Sequence, residues 1–203
     1  MKTIRLIILV LIFFALSSCV SPFYGTARIE EGLKIDAGIA GTSYIDGYLG
    51  RNPSYTGIRG DVEVGYGICK YFQANARIGL GWGHGGKRYF GNSRNDFIHD
   101  IALGPQFALP LSSSWNLTPA LRVEAGYAND EFYATPALLL GFGNPETFTI
   151  GARFLTYILD QIFVTFHVKR VNIFAGVDIW TQLSPDFSDN PPVATLGAGC
   201  KLK

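Results

Sequence analysis

The stretch Gly57–Trp82, GIRGDVEVGYGICKYFQANARIGLGW, carries two runs of strict alternation around a short break at Cys69–Lys70–Tyr71. Ile58, Val62, Val64, Tyr66 and Ile68 share one parity in the first run, while Arg59, Asp61 and Glu63 share the other with Gly65 and Gly67. The second run sets Phe72, Ala74, Ala76, Ile78, Leu80 and Trp82 against Gln73, Asn75, Arg77, Gly79 and Gly81. Successive side chains of a strand point to opposite faces, so a period of two over this length specifies a β-hairpin with one apolar and one polar face. Each run matches the ~9–11 residues that a tilted strand needs to cross a bilayer.

The hairpin repeats along the chain. Alternation predicts about ten strands, with eight the alternative, starting near Arg28–Tyr44 and ending near Val193–Leu202. Long connections at residues 45–54, 84–95 and 184–192 fall on one rim, and short ones near 69–71, 110–114, 143–146 and 170 on the other. An even strand number with this division predicts an all-β, closed antiparallel up-and-down barrel. The barrel is expected to occupy 27–203, after an N-terminal segment at 1–18 and a linker at 19–26.

Composition narrows the choice of solvent. Charged residues make up 16% of the 203-residue chain, against about 25% in soluble domains. Mean hydropathy is +0.19, yet the mature part holds no apolar run long enough for a membrane helix. A net charge of +1 offers no basic field for nucleic acid.

Alternation leaves open which face is inside. A lipocalin-type barrel, soluble and periplasmic, would turn its apolar face inward around an apolar ligand. Three features favour apolar-out. The charged parity is also rich in glycine (Gly65, Gly67, Gly79, Gly81, Gly176, Gly197, Gly199), as a crowded interior requires. The charge content is low for a wet exterior. Aromatic residues gather near strand ends, with Tyr44, Tyr55, Trp82, Phe97, Tyr127, Phe132 and Tyr157 toward one rim. Tyr66, Phe72, Phe107, Trp115, Phe142 and Phe148 lie toward the other, as interfacial girdles do. The lumen would then hold Lys34, Asp36, Arg59, Asp61, Glu63, Arg77, Asp100, Arg122, Glu124, Arg153, Lys169 and Asp178, with Lys201 near the end. Acids and bases nearly balance, and unpaired buried charge is costly, so they are expected to pair into a plug or to line a narrow polar pore.

The N-terminus has the form of an export signal: Lys2 and Arg5, an apolar run from Leu6 to Leu16, then small residues. Leu16-Ser17-Ser18-Cys19 resembles the lipobox of bacterial lipoproteins, which implies cleavage before Cys19 and its lipidation. Val20 in place of aspartate implies the outer membrane of a diderm bacterium. A lipid at Cys19 is expected to put the short-turn rim in the periplasm. By pattern rather than by motif, the mature chain resembles the small outer-membrane β-barrels, OmpA/OmpX-like and porin-family proteins. That resemblance implies membrane lipids and the outer-membrane assembly machinery as partners. The chain departs from it at Cys200-Lys201-Leu202-Lys203, where such barrels usually end in an aromatic residue.

Chemistry-bearing motifs are sparse. His84 lies in a loop, His167 faces the polar side, and His99 lies on the apolar parity without a serine nucleophile in step with it. A lipid-modifying enzyme is therefore the lesser alternative, and the expectation is a non-enzyme with no catalytic residues, no metal and no cofactor. Cys69 and Cys200, on opposite parities, are expected to be unpaired. The basic loop with Lys87, Arg88 and Arg94 is a candidate contact for lipopolysaccharide phosphates. The expected role is structural or surface interaction.

Overall fold

Alternation builds the wall as expected. In a computed structural model, described here for residues 17–19, 22–46, 54–86, 93–111, 116–128, 131–155, 158–179 and 194–203, a three-residue strand precedes ten longer ones. These are β1 (Ser17–Cys19), β2 (Gly32–Asp46), β3 (Ser54–Cys69), β4 (Phe72–Gly86), β5 (Ser93–Ala108) and β6 (Thr118–Ala128). They continue as β7 (Glu131–Gly143), β8 (Glu146–Leu155), β9 (Ile158–Val168), β10 (Val171–Asp178) and β11 (Ala194–Lys201). Each of β2–β11 pairs antiparallel with its sequence neighbour, and β11 pairs with β2 to close a ten-stranded up-and-down barrel. Past Lys201 the seam is extended by Leu202 N–H donating to the Ile35 carbonyl at 2.7 Å and Ile35 N–H to that of Lys203 at 3.0 Å.

Closure settles which face is inside. Leu80, Ile78, Val62, Leu103 and Leu196 point outward and are exposed, while Arg59, Asp61, Arg77, Asp100, Arg122 and Glu124 point inward and are buried. The barrel is thus the reverse of a lipocalin, which keeps its apolar parity within. On β5, Gly104 leaves no room for a side chain, since a Cβ would overlap the Val123 carbonyl oxygen of β6. Gly104→Ala is expected to cost about 2 kcal/mol by overpacking, read by urea unfolding in detergent.

The first strand departs from expectation. Alternation suggested a start near Arg28, but β2 begins at Gly32, whose φ of +96° turns the chain into the wall. Residues 22–29 stand inside the barrel instead, and Glu30 and Glu31 are exposed. β1 pairs with the far end of β2, Cys19 opposite Tyr44, at the rim of the long connections. The chain therefore enters at that rim, descends through the lumen and leaves beside the short turns, where the Glu30 carbonyl approaches Gly67. Cys19 marks the long-loop rim, which corrects the expectation that it marks the short-turn rim. A ten-stranded barrel explains why there is room: eight strands are just filled by side chains, and two more open a channel wide enough for one chain segment.

Residues 1–16, the loop segment 87–92, Trp115 and Tyr157 lie outside the described residues. Cys69 and Cys200 are free thiols.

Candidate functional site

The lumen is the candidate site, and it has two halves. On the β3–β8 side, four arginines face four carboxylates. Arg59 Nη2 lies 2.5 Å from Asp61 and 3.1 Å from Asp100, and Arg77 Nη2 lies 3.0 Å from the same Asp100 oxygen. Tyr133 donates its hydroxyl to Asp100 at 2.8 Å and accepts from Arg77 at 3.1 Å. Arg122 splits its guanidinium between Glu63 and Glu124, both at 2.6 Å. Arg77 and Arg153 reach Glu124 at 3.6 and 3.9 Å, and Arg153 donates to Gln161 at 3.2 Å. The formal charges cancel, as burial of charge demands. Gly79 and Gly81 give Arg59 its space, since a Cβ at Gly81 would lie 2.8 Å from the Arg59 side chain.

The β9–β2 side is aromatic and holds residues 22–29. Phe23 packs on Phe163 with ring centroids 5.4 Å apart, and the Arg122 guanidinium lies 5.3 Å from the Phe23 centroid, joining the two halves. Tyr24 sits against Phe174 (6.4 Å) over Gly38, Gly197 and Gly199. A Cβ at Gly197 would stand 2.6 Å from the Tyr24 hydroxyl.

A backbone drawn through a barrel must still satisfy its own polar groups. Side chains do this here. Thr165 donates to the Phe23 carbonyl at 2.7 Å. Gln106 Nε2 donates to the carbonyls of Thr26 and Ala27 at 2.9 and 3.0 Å. The Glu146 carboxylate accepts the Ala27 and Arg28 N–H groups at 2.9 and 2.7 Å, and also a hydrogen bond from Thr149. Below, Lys34 pairs with Asp36 at 3.3 Å and donates to Thr26 at 3.2 Å, while His167 joins Thr149 and Asn172 at 2.8 and 2.9 Å.

Eleven of the twelve expected lumen residues are therefore buried inside, Asp178 among them opposite Gln161. Lys169 is the exception: it occupies the exposed β9–β10 turn with a φ of +58°, so its place in the lumen network is corrected. Sequence reasoning missed Glu146, which looked like part of a turn, and missed the binding of the segment by Gln106 and Thr165. His99 faces outward between Phe97 (6.2 Å) and Tyr127 (5.8 Å). At the short-turn rim, Lys201 donates to Glu30 and holds that carboxyl below its ordinary range. This contribution is present above the unfolded value near 4.5 and fades as the pH falls through the lower folded value. Both partners are substantially exposed, so Glu30→Gln is expected to change stability by less than about 1 kcal/mol in the same unfolding assay.

No protein-family profile, curated protein or solved structure matches this chain.

Proposed function

We propose that this chain is an outer-membrane β-barrel lipoprotein of a diderm bacterium with a structural or surface-interaction role. Its lumen is kept shut by its ion pairs and by its own N-terminal segment. The observation that carries the reading is the apolar exterior bounded by two aromatic clusters. Toward the long-loop rim, Trp82 is exposed and Tyr127 and Phe132 lie 4.9 Å apart. Toward the short-turn rim, Phe72 packs on Phe107 (5.1 Å) and Phe142 stacks on Phe148 (4.4 Å). Phe72 and Trp82 bracket the outward face of β4. At ~3.3 Å per residue and a tilt of ~40°, the intervening ten steps span ~25 Å, the height of an outer-membrane apolar band. A shallow apolar groove of about 690 Å³ between Leu109, Leu121, Leu138 and Ile162 suits acyl chains on that exterior.

Loop lengths favour the long-loop rim outside. A lipid on Cys19 then belongs to the outer leaflet, reached by the chain that passes through the barrel. The reading assigns no catalytic role, and His99 serves as an amphipathic side chain at headgroup depth. His99→Ala is expected to leave the lipid A profile of the cells unchanged, as judged by mass spectrometry.

Cell fractionation with alkaline extraction, followed by surface proteolysis, tests the placement. Retention in the outer membrane with cleavage within residues 84–95 is the expected result. Release into the soluble fraction once the lipid is removed would refute it.

A further inference from the structure

We propose that the lumen is a binding site for a single polypeptide segment, and that residues 22–29 are its resident, displaceable occupant. The site is built as peptide receptors are built. Three side chains from three different strands, Gln106, Glu146 and Thr165, make five hydrogen bonds to main-chain atoms of one short segment. None of the five uses the occupant's side chains, so they recognise a main chain as such, one that bends at Gly25, Ala27 and Arg28.

Selectivity comes from the shape beside them. The Phe163 ring receives the first aromatic residue, Phe23, and the glycine floor of β2 and β11 receives the second, Tyr24. Gly25 follows where a Cβ would come within 3.1 Å of Glu63 and 3.2 Å of the Phe23 ring. Ala27 is wholly buried. The site therefore selects two adjacent aromatic residues, then glycine, with a small residue two places further on.

The ladders of the wall do not depend on the segment, although Phe23, Tyr24, Ala27 and Ile29 belong to the buried apolar cluster. The bonds that hold the segment run to side chains, and the ladders of β2–β11 close without it. Its links to the wall are the turn at Gly32, which follows the exposed Glu30 and Glu31, and the short β1–β2 pairing upstream. The network of four arginines and four carboxylates is balanced without it, so departure of the segment uncovers no net charge there. An acceptor such as Glu146 would then face an empty lumen, ready for another backbone.

The test uses the full chain, folded in detergent, with a specific protease site inserted between Glu31 and Gly32. Reading it in detergent keeps it independent of membrane placement. After cleavage and washing, the freed segment is expected to leave while the barrel keeps its folded gel mobility. A fluorescein-labelled peptide of residues 20–31 is then expected to bind saturably by anisotropy. The same peptide with Tyr24→Ala, and the barrel carrying Glu146→Ala, should each bind at least about tenfold more weakly. Release only on unfolding of the barrel would overturn the proposal, since the segment would then be part of the fold. Equal binding of a scrambled peptide, or no rebinding to a barrel of native mobility, would overturn it as well.

Discussion

Arg122→Ala is expected to lower the folding free energy of the barrel by about 3–5 kcal/mol, the cost of breaking a buried ion pair from one side. Arg122 is the hub of the lumen: its two terminal nitrogens lie 2.6 Å from Glu63 and from Glu124, and its plane covers Phe23. Truncation leaves Glu63 without that partner and Glu124 with only the longer contacts of Arg77 and Arg153, at 3.6 and 3.9 Å. The same change also uncovers one face of Phe23. Urea titration in lipid vesicles, following the gel mobility of the folded form, measures the loss. Combining Arg122→Leu with Glu63→Gln removes both ends of one pair and should recover part of it. Independent, additive losses would mean that the two groups do not interact in solution as they do in the structure.

The second large effect is at Glu146. Glu146→Ala removes the acceptor for two consecutive N–H groups of the threaded segment and for the Thr149 hydroxyl. Buried donors left without partners cost about 1–3 kcal/mol each, so loss of the segment from the lumen is the cheaper outcome. Arg28, half-buried in the folded barrel, then becomes a site for trypsin. Brief digestion should cut after Arg28 in the variant and spare that bond in the parent, while cuts in the segment that carries Lys87, Arg88 and Arg94 occur in both. Glu146→Gln keeps one acceptor oxygen and should fall between them.

The wall was legible because alternation reports burial directly. Ile58 to Ile68 and Phe72 to Trp82 face outward, and their polar neighbours face inward, as the period of two requires. The ion pairs were legible as a balance of charge on one parity, although not as particular partners. The threaded segment was not legible, because Pro22–Ile29 has no periodicity and a chain inside a barrel leaves none. Its signature was on the receiving side. Phe163, Phe174 and Leu139 stand on the polar parity yet are buried, and an apolar residue in a charged lumen needs something apolar to touch. Lys169 was misplaced for a simpler reason: parity was carried one residue past the strand, into a turn where it no longer applies. The side of the barrel that Cys19 marks was unreadable for the same cause as the segment, since it depends on the path between Cys19 and Gly32.

The central claim is that the apolar parity meets lipid while the charged parity meets a filled lumen. Spin labels placed singly at Ala74, Ala76, Ile78 and Leu80, the outward positions of β4, test it most directly in reconstituted vesicles. The account predicts strong relaxation by oxygen and weak relaxation by a polar nickel complex, with oxygen contact greatest at Ala76 and Ile78, midway between Phe72 and Trp82. High nickel contact at all four positions would contradict it, because the exterior of this barrel would then face water.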